Sequence, residues 1–102
     1  MKNQEFDFGN HLRGLRKAKE QTLHQVSKGT DIDSPLLSKL ERGDRLPTQE
    51  QIKKLAKYYK VAESELTVMA TAERIIREYG VNNTTYDAVS LVLEHITPYL
   101  KK

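Results

Sequence analysis

Apolar residues recur along the chain in short blocks at helical spacing, separated by polar punctuation, and nowhere alternate every second residue as a half-buried strand would. Phe8, Leu12 and Leu15 fall at i, i+4 and i+7, which predicts a first helix over residues 8–19 with one buried stripe and with His11, Arg13 and Lys17 exposed. Thr22 and Gln25 stand at capping-box spacing, where each side chain satisfies an orphan N–H at a helix start. A second helix is therefore expected over residues 23–29, with Leu23 and Val26 inward. Asp31 and Ile32 make a turn, Ile32 acting as the apolar plug, and Asp33 caps a third helix whose Leu37 and Leu40 face the core. Pro35 lies in the first turn of that helix, where its missing N–H costs nothing, and Gly43 supplies the backbone freedom to end it.

The pattern then repeats. Thr48 and Gln51 open a fourth helix with an Ile52, Leu55, Ala56 and Tyr59 stripe, and Lys53, Lys54, Lys57 and Lys60 lie mainly off that stripe as a solvated face. Val61 and Leu66 bracket the start of a fifth helix over residues 63–79, closed by Gly80. A last helix is expected over residues 85–97, with Thr84 and Asp87 at capping-box spacing and a stop near Pro98. Its Val89, Leu91, Val92, Leu93 and Ile96 spread around more of the circumference than one core-facing stripe needs, so part of that surface calls for a partner. Leu66, Met69, Ile75, Ile76, Leu93 and Ile96 divide between intramolecular core and interface, in proportions the pattern does not fix. The fold class expected is all-α.

Composition narrows the chemistry. At 102 residues the chain is one domain's worth. It has no cysteine, hence no disulfide framework, thiolate metal site or cysteine nucleophile, in keeping with a reducing cytoplasm. No apolar run approaches the roughly 18 residues needed to span a bilayer, and the first residues carry no apolar signal region, so a cytoplasmic location is expected. The net charge of +3 is unevenly placed: residues 1–61 hold 13 Lys and Arg against 8 Asp and Glu, whereas residues 62–102 hold 4 against 6. A basic head with an acidic, apolar tail suits nucleic-acid binding by the head.

Two short capped helices joined by a tight turn over residues 22–43, the second with a polar, partly basic face, have the layout of a helix-turn-helix that presents one helix to DNA. Over residues 8–66 the chain also resembles the Cro/CI-type helix-turn-helix family of bacterial and phage regulators, the lambda-repressor-like or Xre family. The features that carry the resemblance are Leu12, Leu15 and Arg16; Thr22, Leu23 and Val26; Ile32; the run from Leu37 to Gly43; Pro47; Leu55 and Ala56; and Val61 to Leu66. The resemblance implies a compact five-helix DNA-binding domain, here residues 1–66, with residues 67–102 as a helical C-terminal extension for dimerisation or partner binding. It further implies a homodimer on two half-sites and a structural ion pair between Arg16 and Glu41 that holds the fold and reads no bases. The family commonly has glycine where this chain has Asp31 and Glu20. Asp tolerates the left-handed conformation, and Glu20 points to a longer or differently capped first helix.

The DNA-binding residues expected on this basis are Thr22, His24, Ser34, Pro35, Ser38, Lys39, Arg42 and Arg45. Lys39 can donate to guanine, Ser34 and Ser38 to several bases, and Pro35 and Leu36 can touch a thymine methyl, although packing serves Leu36 as well. Asp33 is a cap with a cytosine contact open to it. Arg42 and Arg45 match backbone-contacting positions, and Thr22 can present the N-terminus of helix two to a phosphate. For Arg45 and His24 a plain solvated surface is the alternative. His11, His24 and His95 have no metal-ligand spacing, and there is no phosphate loop or nucleophile elbow, so no enzyme, metal or cofactor is expected. Two functions remain: a sequence-specific transcriptional regulator, or an antitoxin-type module whose extension covers a partner protein while its head autoregulates.

Overall fold

The computed structural model describes residues 7–100 and is all-helical, with no strand among them. Six helices follow in order: α1 Phe8–Ala18, α2 Leu23–Thr30, α3 Ser34–Arg42, α4 Gln49–Tyr59, α5 Glu63–Tyr79 and α6 Asn83–Ile96, with a 3₁₀ turn Thr97–Tyr99 after α6. Both capping boxes form: the Thr22 and Thr48 hydroxyls accept from the backbone N–H of Gln25 and Gln51, whose side chains accept from the cap N–H in return. Asp33 accepts from Leu36 N at 2.8 Å to cap α3. Gly43 ends that helix at φ 82°, a left-handed conformation that glycine adopts without a Cβ penalty.

The core joins one stripe from each of the first five helices: Phe8 and Leu12, Val26, Leu37 and Leu40, Ile52 and Leu55, Leu66 and Ala70 are all buried, with Ile32 plugged between α2 and α3. α1 packs on α3 so closely that a Cβ on Gly9 would come within 2.6 Å of the Leu40 carbonyl oxygen and nearer still to that of Glu41. The C-terminal half of α5 returns to the head. The buried Glu73 carboxylate accepts from Phe8 N at 2.6 Å, in effect a second cap on α1 beside Asp7, and Arg77 joins it at 2.7 Å. The same Arg77 donates to the Gly43 carbonyl at 2.7 Å, which ties α5 to the end of α3.

Three details depart from the sequence pattern. α6 starts at Asn83, and its cap is Asn82, which accepts from Thr85 N at 2.8 Å; Thr84 and Asp87 fall inside the helix and form no capping box. Of the two alternatives for the first helix, the longer helix fails and the different cap holds: it ends at Ala18 with Lys19 as its cap, and Glu20 itself takes the left-handed conformation at φ 55°, as Asp31 does at φ 64°. His11, expected at the surface, is half-buried, because it stands three residues after Phe8 on the edge of the same stripe.

Candidate DNA-binding surface

The surface is built on α3, and what fixes α3 is its inner side. Leu37 and Leu40 are locked in the core and Leu36 packs half-buried against it. At about 100° per residue, Ser34, Ser38, Arg42, Pro35 and Lys39 then fall within one continuous arc of roughly 140° on the opposite side. Pro35, Lys39 and Arg42 are exposed, and Ser34 and Ser38 are half-buried.

Glu41 sits at the border between the two sides and faces α1. Arg16 grips it with two parallel hydrogen bonds, Nε to Oε2 at 2.8 Å and Nη2 to Oε1 at 3.0 Å, and its third nitrogen donates to the Gln21 carbonyl at 3.0 Å. Both side chains are largely buried, at 15% and 8% exposure. Hydrogen bonding to Glu41 raises the Arg16 pKa above its ordinary value against the opposing effect of burial. The bidentate pair clamps the angle between α1 and α3.

On the outer arc the side chains hold one another. Arg42 Nη1 donates to Ser38 Oγ at 2.5 Å, while its Nε and Nη2 reach Asp44 Oδ2 at 3.0 and 2.9 Å. Arg42 and Asp44 are each 55% exposed, so this pair is solvent-screened and exchangeable. Asp33 is occupied as the cap. Thr22, His24 and Arg45 are exposed: Thr22 at the N-terminus of α2, His24 one residue into that helix, and Arg45 in the loop after α3. Asp44, which engages Arg42, was not among the residues singled out from sequence; two positions apart across a helix end, the pair follows no helical spacing rule. Among the described residues no group of His, Asp and Glu is placed to hold a metal ion, and no helix is long and apolar enough to cross a membrane.

A family model described as a helix-turn-helix domain matches residues 7–69, from the cap of α1 into α5. The chain belongs to the helix-turn-helix domain family. The helix-turn-helix of this member is α2, the Asp31–Ile32 turn and α3. Among curated proteins it is similar to an uncharacterized HTH-type transcriptional regulator, RghRB, of Bacillus subtilis (strain 168), at 41% identity over 64 residues. The match covers 62% of this chain and 46% of that relative, so the chain spans less than half of the relative's length.

Proposed function

We propose that this chain is a sequence-specific, double-stranded DNA-binding transcriptional regulator of the Cro/CI type, working in the cytoplasm as a homodimer on an operator of two half-sites. The observation that carries the reading is the division of α3. Its inner side and Glu41 are committed to the scaffold, whereas Ser34, Pro35, Ser38, Lys39 and Arg42 share one outward arc that the core does not use. A helix held rigidly on one side and polar on the other is what the major groove admits.

In this reading Lys39 and the two serines meet base edges. Arg42 and Arg45 meet phosphates, with Arg42 exchanging its screened contact with Asp44 for a phosphate oxygen. Thr22 and His24 meet the backbone beside the start of α2. The helix-turn-helix match and the name of the similar Bacillus subtilis protein support the regulator role. The head, residues 1–66, carries recognition, and the extension, residues 67–102, brings two heads together. Selection of bound fragments from random duplex DNA at moderate ionic strength tests the proposal. The expected product is an enriched motif with two related halves centred roughly one helical turn, about 10 base pairs, apart. Salt-sensitive binding with no enriched motif contradicts it.

A further inference from the structure

α3 is a nine-residue helix, and its last turn is where it leaves the core: Leu40 is fully buried, while the Arg42 side chain is 55% exposed. Helix ends fray, so a cation on the last residue stands in a fixed place only if something holds the exit. Two devices hold it here. The first is local: Gly43 N–H donates to the Leu40 carbonyl at 3.2 Å and Asp44 N–H to the Lys39 carbonyl at 2.9 Å, the Schellman arrangement that a left-handed glycine permits. The second comes from 34 residues away, where Arg77 Nη2 donates to the Gly43 carbonyl at 2.7 Å. That carbonyl belongs to the peptide joining Gly43 to Asp44. The Asp44 carboxylate in turn holds Arg42 at 2.9 Å, and Arg42 donates to Ser38 on the outer arc.

Arg77 is itself anchored. Its Nε and Nη2 lie 3.1 and 2.7 Å from Glu73 Oε2, and the other Glu73 oxygen accepts from Phe8 N. The Glu73 side chain is 12% exposed, so the guanidinium is gripped by a fixed group and not by a mobile surface carboxylate. Three residues earlier on α5, Arg74 donates to the Pro47 carbonyl at 3.3 Å. The loop between α3 and α4 is thus held by α5 at both ends, the near end by Arg77 and the far end by Arg74. Glu73, Arg74 and Arg77 all lie beyond residue 69, where the match to the helix-turn-helix family model stops. The tether falls outside the stretch by which the chain is assigned to its family.

We propose that Arg77 is a positioning residue for Arg42: by fixing the Gly43–Asp44 peptide it holds the end of α3, so that Arg42 stands on the outer arc in one place, ready to exchange Asp44 for a phosphate. The inference rests on the proposed DNA reading for its purpose. Preorganisation is the physical advantage, because a guanidinium that is already ordered loses less rotamer freedom on binding than a free one. The recognition unit then runs through α5 at least as far as Arg77, and the extension that begins at residue 67 serves DNA contact without touching DNA.

Two measurements on the full chain test this. In the free protein the Arg42 Nε–H resonance, assigned by its disappearance in Arg42→Ala, reports whether the guanidinium is held. Arg77→Ala should shift that resonance and speed its exchange with water several-fold, whereas Arg74→Ala, which removes the same charge from the same helix, should leave it in place. On a selected operator, Arg77→Ala should weaken binding by roughly three- to tenfold in the parent and by less than about twofold in an Arg42→Ala background, with the melting temperature lowered equally in both. A purely structural role would weaken both backgrounds alike, and so would an Arg77 that itself meets a phosphate; either result overturns the proposal, as does an Arg42 resonance that Arg77→Ala leaves unmoved. If Arg77→Ala misfolds because Glu73 is left unpaired, Glu73→Gln combined with Arg77→Met removes both charges, keeps an acceptor for Phe8 N, and should give the same two results. A chain whose Arg42 resonance responds to Arg77 but which binds no duplex leaves the positioning intact while the DNA reading fails; specific operator binding that is insensitive to Arg77 does the reverse.

Discussion

Arg16 and Glu41 are a largely buried charged pair that ties α1 to the end of α3. Removing the carboxylate leaves a guanidinium at 15% exposure with one remaining partner, the Gln21 carbonyl, a loss of about 3 kcal/mol by comparison with other buried pairs. Glu41→Ala should therefore lower the melting temperature by more than about 10 °C before any loss of DNA affinity. Unchanged melting with lost binding, measured by thermal circular dichroism and titration, would contradict the scaffold role. Tyr59 gives a pH signature. Burial, with a contribution from nearby Glu41, pushes its phenol up to about 12 from an ordinary value of 10. Because the folded pKa lies above the unfolded one, the associated stability is complete below pH 10 and is lost as pH rises toward 12. Denaturant titrations over that window should fall for the parent and flatten for Tyr59→Phe. The Arg16–Glu41 pair could be expected from sequence only through family resemblance. The Glu73 contact to Phe8 N, between residues 65 apart in the chain, has no local spacing that could reveal it.

At the level of elements, the first five helices were legible because each announces itself twice, by an apolar stripe and by a cap or stop signal. α6 starts two residues before its sequence pattern indicates because Thr84 and Asp87 mimic a capping box, while Asn82, a strong cap by itself, has no reciprocal Glu or Gln to mark it. The two glycines of α1 show what spacing leaves out. Gly9 lies where α1 meets the last carbonyls of α3, whereas nothing lies within 4 Å of a Cβ on Gly14. Gly9→Ala should force the two helices apart at a cost of about 1–3 kcal/mol. Gly14→Ala should add roughly 0.5–1 kcal/mol through the backbone entropy of a helix interior. Thermal unfolding of the two variants should thus move in opposite directions; equal shifts would mean that the α1–α3 approach is looser than described. The outer arc of α3 was readable for a simpler reason: once Leu37 and Leu40 are assigned inward, helix geometry leaves its other residues nowhere else to go.

The whole molecule is extended for its size. Its radius of gyration is 15.3 Å, against about 13 Å for a compact chain of this length, and α6 stays largely exposed beside a well-packed head. The sequence marked α6 as too apolar for a single stripe, but it could not divide the extension between core and surface, because that division depends on where α5 turns back. Leu66 is fully buried in the head, Met69 packs against its core, and Leu93 and Ile96 stay exposed. The basic head and the acidic, apolar extension thus present different surfaces, and in the proposed function specificity resides on the outer arc of α3 in the head. The most direct test is the affinity of Lys39→Ala and Arg42→Ala for a selected operator and for unrelated duplex across a salt series. Lys39→Ala should lose about 1–3 kcal/mol on the operator and relax preference at one base position, and Arg42→Ala should weaken both duplexes alike and reduce the salt slope by about one ion. If both variants shift only the affinity shared by all sequences, α3 does not read bases through this arc, and the claim is wrong.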